Sequence, residues 1–211
     1  MDNIISYISI KKMKMTNEKN NEIIELNFSD ETEILNLLTQ SFYDYPLVPS
    51  LLKKRWRTRQ ILKAVINLNG GFKKSTHFGI KKNNEIITCV SLADYSPTAF
   101  SVARFASTML LLLGFKGMIE FYTFFKEMPK YNEPYLKIVL LATKPGQQNK
   151  GYGKKMLEFL YELVRKRNCN GLMLSTNFGD PAYKFYLKEG FTVEKEFKVS
   201  DMTSCWMRRV I

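Results

Sequence analysis

Only one histidine, His77, occurs in the 211 residues. That scarcity rules out a His-based metal centre and leaves a serine-type triad a single candidate base; beside a strand pattern, His77 is expected to be structural. Cysteine is nearly as scarce. Cys89, Cys169 and Cys205 lie far apart, match no metal-ligand spacing and are odd in number, so neither a metal module nor a disulfide framework is expected. A reducing, cytoplasmic compartment fits that usage. Acidic residues are outnumbered: 20 Asp and Glu against 32 Lys and Arg give a formal net charge of +12. Such a charge attracts phosphates, nucleic acid or an anionic cofactor and says nothing of fold. Long apolar runs are missing too. The most apolar segment, AFSVARFASTMLLLLGFKGMIEFYTFF, is cut by Arg104, Lys116 and Glu120. Its longest uncharged stretch, Phe105 to Phe115, is well short of the roughly 20 residues a bilayer span needs. It reads as a core or pocket helix, and no membrane span is expected.

What is present suits one α/β domain. A hydrophobic content of 45% supplies a sizeable core at this length, and no repeat or low-complexity linker divides the chain. Residues 1–21 are rich in Lys and Asn, carry their charges after the apolar part and lack a small-residue cleavage site, so they resemble no secretory signal. They are expected to be a mobile tail, with Met13 and Met15 as alternative starts, ahead of a domain spanning 22–211. From Glu22, EIIELNF is a strand pattern. Ser29 or Asp30 can cap a helix with Ile34, Leu37, Leu38 and Phe42 on its apolar stripe, broken by Pro46 and Pro49. A second helix is expected from about Leu51 to Leu68, ended by Gly70 and Gly71. HFGIKK and EIITCVSLADY are strands joined at Asn83 and Asn84, a hairpin signal. A helical pair fills Ala99 to about Met128, and YLKIVLLAT is a buried strand. Gly151 to about Arg167 is a helix with Met156, Leu157, Leu160 and Val164 inward. GLMLST, a helix from Pro181 to Glu189, FTVEKEFKV and SCWMRR complete the pattern.

One stretch does not read as plain scaffold. KPGQQNKGYGKKML, Lys144 to Leu157, sets three glycines among cationic and amide side chains and leads into a helix. A Walker loop needs Lys and a hydroxyl after its second glycine, and here Gly151 is followed by Tyr152 and Gly153. A dinucleotide fingerprint needs a third glycine where Met156 stands. Neither motif is met. What remains is a strand, a polar loop and two glycines at a helix start, so free backbone N–H groups and the positive helix end converge on one spot. That spot suits an anion such as a pyrophosphate.

Gln148, Gly151 and Gly153 behind YLKIVLLATKP resemble the signature of the GNAT superfamily of N-acetyltransferases: Gln or Arg, two residues, Gly, one residue, then Gly or Ala. A second block, NFGDPAYKFYLKEGF, with Asn177, Ala182, Tyr186, Gly190 and Phe191, resembles that family's later motif, and the order of elements agrees from Glu22 to Ile211. The resemblance implies a single GNAT-like domain: a central, mostly antiparallel twisted sheet splayed at the fourth strand and flanked by helices. It implies acetyl-CoA as cosubstrate. Main-chain groups of Leu141, Ala142 and Thr143 would pair with the pantetheine arm as an added strand. Amides of Gln148, Asn149, Lys150, Gly151, Tyr152, Gly153 and Lys154 would cradle the pyrophosphate. Lys150, Lys154 and Lys155 would add positive charge, although Lys155 also reads as a solvated helix position. Asn177 would contact cofactor or water, or cap its loop. Catalytic roles fall to the Leu141 N–H, as oxyanion donor, and to Tyr186, as donor to the departing thiolate; Tyr186 as a packing aromatic is the plainer alternative.

One departure from the family stands out. Where the histone-acetylating branch carries a glutamate base early in the central strand, alignment places Lys137. Glu133, Asp94 and Tyr95 are the remaining candidates for a base, and each also reads as a surface residue. The acceptor pocket would be formed by SFYDYPLVPSLL and the helical insertion at 99–128, with Phe42, Tyr43, Tyr45, Phe121, Tyr122 and Phe125 as lining or core. SFYDYPL, PYLKIVLLATKP and CWMRR are similar to the small-molecule branch, so a small-molecule primary amine is the expected acceptor. A protein or peptide amine is the alternative. KKRWRTR, with five cations from Lys53 to Arg59, raises nucleic-acid or ribosome binding as a rival; a solvated helix face explains it better, and nucleic acid is not an expected partner. A CoA-binding regulator without turnover is a third reading, and a homodimer is left open.

Overall fold

The computed structural model describes residues 22–45, 47–51, 55–74, 76–93, 96–131 and 134–211. The expected tail 1–21 lies outside the described residues, as do Pro46, Lys53, Lys54, Asp94, Tyr95 and Glu133. The strand patterns become β1 (Ile23–Leu26), β2 (His77–Lys82), β3 (Glu85–Leu92), β4 (Tyr135–Thr143), β5 (Gly171–Asn177), β6 (Thr192–Val199) and β7 (Met202–Val210). The helices are α1 (Glu31–Ser41), α2 (Arg55–Leu68), a single turn α3 (Gly71–Lys74), α4 (Ala99–Lys126), α5 (Tyr152–Lys166) and α6 (Pro181–Lys188). The strands form one seven-stranded sheet in the order β1-β2-β3-β4-β5-β7-β6. Its neighbours are antiparallel except for the parallel pair β4 and β5.

Local chemistry explains most of these elements. Asn83 and Asn84 both adopt positive φ, 51° and 66°, as a two-residue hairpin turn of the I′ kind demands and as asparagine tolerates. α1 is started differently from expectation. Asn27, not Ser29, closes the chain end: its Oδ1 accepts from the Ser29 N–H at 2.8 Å, and its own N–H donates to Asp30 Oδ2 at 3.0 Å. This box caps a short turn, Phe28–Asp30, that runs into α1. Asp30 occupies the N-cap position of α1 without bonding the helix; its other oxygen accepts from Lys81 Nζ at 3.0 Å.

The sheet separates two apolar layers. On one side lie α1, α2 and α4, contributing Leu35, Leu38, Ile61 and Leu62 among others; on the other lies α5 with Met156, Leu157, Leu160 and Val164. Those four α5 side chains are fully enclosed, each contributing on the order of 1.5–3 kcal/mol relative to exposure.

The expected helical pair at 99–128 is present as one element folded on itself. At Gly114 (φ 71°, ψ −170°) α4 leaves helical geometry, and the chain doubles back. Phe105 on the first arm meets Phe121 and Phe125 on the second, with ring centroids 5.5 and 5.8 Å apart. Positive φ with that ψ is a region in which glycine alone is at ease. A Cβ at Gly114 would touch nothing within 4 Å, so backbone strain is the whole penalty of a side chain there. Gly114→Ala should therefore lower unfolding free energy by about 1–3 kcal/mol. Urea denaturation measures this, and an unchanged midpoint would show that the reversal does not depend on this residue.

Candidate active site

The site begins where β4 parts from β5. β4 pairs with β3 along most of its length, from Thr143 opposite Thr88 to Ile138 opposite Leu92. It pairs with β5 only at Tyr135, Leu136 and Lys137. Beyond Lys137 the two strands diverge, which is the expected splay at the fourth strand. A bulge sets the phase of the free edge. Ser91 faces Leu140 and Leu92 faces Ile138, so Val139 is an extra residue without a partner. The side chains record the same slip: Leu136 and Ile138 point into the α5 layer, whereas Leu140 and Ala142 point into the layer of α1 and α2.

The Lys144 N–H donates to the Ile87 carbonyl at 2.8 Å. In an antiparallel ladder such bonded pairs alternate, so Ala142 and Leu140 face β3. Leu141 and Thr143 turn their N–H and C=O groups the other way, into the gap. The expectation that Leu141, Ala142 and Thr143 all offer main-chain groups is corrected on this point: Ala142 is turned to Cys89. The Thr143 carbonyl, on the gap side, accepts from Ser41 Oγ at 3.3 Å.

At the far end of β4 the chain turns through Gly146 (φ 81°), Asn149 (φ 61°) and Gly151 (φ 82°) into α5. Gly151 is the left-handed N-cap and supplies no side-chain cap. The Lys155 N–H donates to the Gly151 carbonyl at 2.9 Å, so the amides of Tyr152, Gly153 and Lys154 precede the first helical bond and point out of the helix end. A Cβ at Gly151 would meet nothing within 4 Å, whereas one at Gly153 would sit 3.3 Å from Phe185 Cζ. The first glycine is favoured by its left-handed backbone angle; at the second, a side chain would press on the Phe185 ring.

The loop's side chains divide the expected roles. Gln148 and Asn149 are exposed and line the cleft. Lys150 folds back, its ammonium donating to the Gly146 carbonyl at 2.9 Å and to Gln147 Oε1 at 3.2 Å, so it braces the loop. Tyr152 is buried among the α5 contacts, leaving only its backbone at the surface of the cradle. Lys154 is exposed on the cleft side.

α6 brings the remaining groups. Tyr186 is 6% exposed, lies against Phe185 and Phe191 at 5.2 and 5.3 Å between ring centroids, and lines the cleft. It is both a core aromatic and a wall of the site. Burial pushes its phenol well above the ordinary value of 10, so it stays protonated and keeps a hydrogen to donate. Asn177 is held as a bracket at the end of β5: its Nδ2 donates to Asp180 Oδ2 at 3.1 Å, and its Oδ1 accepts from Ser204 Oγ at 2.7 Å. The loop-capping role is the one its geometry displays.

Asp180 shares that bracket, and burial raises its carboxyl from 3.8 to about 6 against the opposing pull of Asn177. A raised acid binds its proton more tightly in the folded chain than in the unfolded one. Its contribution to stability therefore falls as pH rises from about 4 to about 6. Asp180→Asn should melt above the parent protein near pH 7 and alongside it near pH 4; a difference that ignores pH would contradict this.

A cleft of about 1420 Å³ runs from the loop, past the β4–β5 gap, to a chamber beneath α4. Of the aromatics expected to line it, Phe42, Tyr45, Phe121, Tyr122 and Phe125 do so. Tyr43 is not among the lining residues, and Arg55 lies over its ring at 5.1 Å. Lys137 lines the chamber, and its ammonium has no ion pair or hydrogen bond among the described residues. Sequence reading missed Ser175 and Trp206. They face each other across β5 and β7 and line the chamber, and Ser175 Oγ and Trp206 Nε1 are buried without a partner among the described residues. The period-2 pattern of GLMLST and SCWMRR carried their facing, but their pairing needed the register.

The described part of the cationic segment, Arg55 to Arg59 at the start of α2, makes contacts within the molecule. Arg57 lies over Trp56 at 5.3 Å, and Arg59 Nη1 donates to Asn36 Oδ1 at 2.7 Å. With Arg55 on Tyr43, three of its five cations are engaged within the molecule.

Comparison with known proteins decides the class. The model of the Acetyltransferase (GNAT) family matches residues 32–191, from α1 to the end of the α6 turn. The chain belongs to the GNAT family. It is therefore an acetyltransferase with acetyl-CoA as cosubstrate. No curated protein matches the sequence. Among solved structures, ribosomal-protein-S18-alanine N-acetyltransferase from Escherichia coli is 15% identical, with a TM-score of 0.55 over 90% of this chain and 94% of that one. The PaiA N-acetyltransferase from Thermoplasma acidophilum, in complex with coenzyme A, is 14% identical, with a TM-score of 0.56 over 92% and 100%. The NatC complex bound to Gag peptide and CoA is 14% identical, with a TM-score of 0.51 over 92% and 99%. These share the GNAT fold with this chain. The residues here fit the family's cosubstrate: the gap beside Leu141 and Thr143, the open space over Gly151 and the unpaired amides at α5 are what a pantetheine arm and a pyrophosphate require.

Proposed function

We propose that this protein transfers the acetyl group of acetyl-CoA to the primary amine of a small molecule, by direct attack while both substrates are bound. The observation that carries this reading is the joined cleft. Its loop end is polar and rich in amide donors, its middle passes the free edge of β4, and its other end is a chamber roofed by α4 and walled by Phe105, Met109 and Phe121. A roofed apolar chamber suits a small, partly apolar amine better than an extended peptide.

Each role follows from position. Amides from Gln148 to Lys154 hold the pyrophosphate at the positive end of α5. Leu141 and Thr143 align the pantetheine arm, and the Leu141 N–H donates to the thioester carbonyl as charge gathers on its oxygen. Tyr186 donates a hydrogen bond to the sulfur as the carbon–sulfur bond breaks. Alignment supplies most of the rate, because a neutral amine attacks a thioester readily once the two are held in contact. Lys137 supplies no carboxylate base; Asp94, Tyr95 and Glu133, outside the described residues, remain the candidates.

An acyl-cysteine has no candidate in the cleft, because Cys89, Cys169 and Cys205 are not among its lining residues. Burial, with Glu33 nearby, pushes the Cys89 thiol up to about 12, and burial with Glu196 pushes Cys205 to about 11. Neither gives a thiolate near neutral pH.

The test is release of free CoA thiol from acetyl-CoA against polyamines, amino acids, aminoglycosides and basic peptides, beside the thermal shift given by acetyl-CoA alone. Turnover with a small amine is expected. Peptides turning over far better than every small amine would favour the protein-directed alternative. A thermal shift with no turnover would favour a CoA-binding regulator, and no shift would favour a binding module.

A further inference from the structure

The chemistry above leaves the outer surface of α4 unexplained. Leu111 is 85% exposed, Phe100 78%, Phe115 67% and Tyr122 66%, with Val102, Leu110 and Ile119 about half exposed. Scattered apolar residues need no reason, but a patch of this size on one hairpin does. By length and hydropathy α4 could cross a membrane; its geometry forbids it. The reversal at Gly114 leaves arms of residues 99–113 and 115–126, each at most about 22 Å long at 1.5 Å per residue, against a hydrocarbon core of about 30 Å. The same reversal puts Leu110, Leu111 and Phe115 beside a convex tip.

The charges on the hairpin are one-sided. Arg104, Lys116 and Lys126 are exposed, whereas its sole acid, Glu120, is 4% exposed and accepts from the Ser50 N–H at 3.0 Å. Along α2, which packs on α4, Trp56 is 61% exposed beside exposed Arg55. Pairing this face with a second copy would gather Arg104, Lys116 and Arg55 with no exposed acid on α4 or α2 to meet them. An anionic bilayer surface supplies the missing countercharge and accepts a convex apolar tip.

We propose that the α4 hairpin docks the protein on anionic membrane surfaces. Leu110, Leu111 and Phe115 enter the boundary between headgroups and acyl chains, and Arg104 and Lys116 stay among the headgroup phosphates. Val102, Ile119 and Tyr122 belong both to this exposed surface and to the chamber lining, so docking seats the mouth of the chamber against the lipid.

The test is co-sedimentation of the full chain, without acetyl-CoA, with vesicles of phosphatidylcholine alone or mixed with phosphatidylglycerol. Binding is expected to the mixed vesicles, weakened by salt. The double variant Leu111→Asp with Phe115→Asp should lose at least about tenfold in partitioning, since each side chain removes ordinary apolar burial and adds repulsion. Both residues are exposed, so an unchanged melting temperature and an unchanged acetyl-CoA thermal shift will show that the variant is folded. No binding to the mixed vesicles, or equal binding by the variant, overturns the proposal. So does a dimer in solution, seen by light scattering, that the double variant abolishes. None of these readouts depends on acetyl transfer, so the fate of the proposed function is read separately.

Discussion

Tyr186→Phe is expected to lower kcat and kcat/KM for the amine in parallel, by at least about tenfold, while acetyl-CoA affinity stays nearly intact. The phenol is enclosed by Phe185 and Phe191 and kept protonated by burial. It therefore meets the cleft as a fixed donor. A thiol leaves with a pKa near 8.5 and an ordinary phenol titrates near 10, so the hydroxyl can stabilise departing sulfur without transferring its proton fully. Burial widens that gap and favours hydrogen bonding over transfer. General acid catalysis contributes typically about 10² to 10⁴ in rate, and water substituting for the hydroxyl would recover part of it. The ring remains in phenylalanine, so the packing of α6 should hold. A single-turnover chemical step at the parental rate would show Tyr186 to be a packing aromatic alone.

The second large effect belongs to the anion cradle. Gly151→Glu should weaken acetyl-CoA binding at least about a hundredfold, because two like charges about 4 Å apart near a protein surface repel by a few kcal/mol. Any side chain at this position also meets the left-handed backbone, φ 82°, at roughly 1–2 kcal/mol. Gly151→Ala carries that strain without the charge and separates the two causes. Alanine should lose stability and keep most of its affinity, while glutamate should lose both. The space over Gly151 is open to a Cβ, so Gly151→Ala displaces no neighbour. Unchanged affinity in folded Gly151→Glu, measured by calorimetry, would remove the pyrophosphate from this loop. Gly153→Glu should also abolish binding, but a Cβ there presses on Phe185 and so disturbs the neighbour of Tyr186 as well.

Where chemistry is local, the sequence spoke clearly. The Asn83–Asn84 turn, the amphipathic face of α5 and the glycine-marked entry to it each rest on residues within one or two turns of each other. The family motifs lie on the same segments, which is why the cradle was legible. What was missed depends on register. Nothing in YLKIVLLAT marks Val139 as an extra residue, since every position from Ile138 to Ala142 is apolar. Yet the bulge decides that Leu141 and Thr143, and not Ala142, face the gap. Ser175 and Trp206 are likewise 31 residues apart in sequence and adjacent only through the β5–β7 ladder. The cap of α1 was misplaced for a smaller reason. An extra turn, Phe28–Asp30, precedes the helix, so the capping side chain sits at Asn27, three residues earlier than Asp30.

The proposed reaction is direct transfer between two substrates held in one joined cleft. Initial rates with acetyl-CoA and the best small amine varied together, read beside the intact mass of the protein after acetyl-CoA alone, test it most directly. Direct transfer gives intersecting double-reciprocal lines and leaves no acetyl group on the protein. Parallel lines with a stoichiometric, kinetically competent acetyl-protein would contradict it.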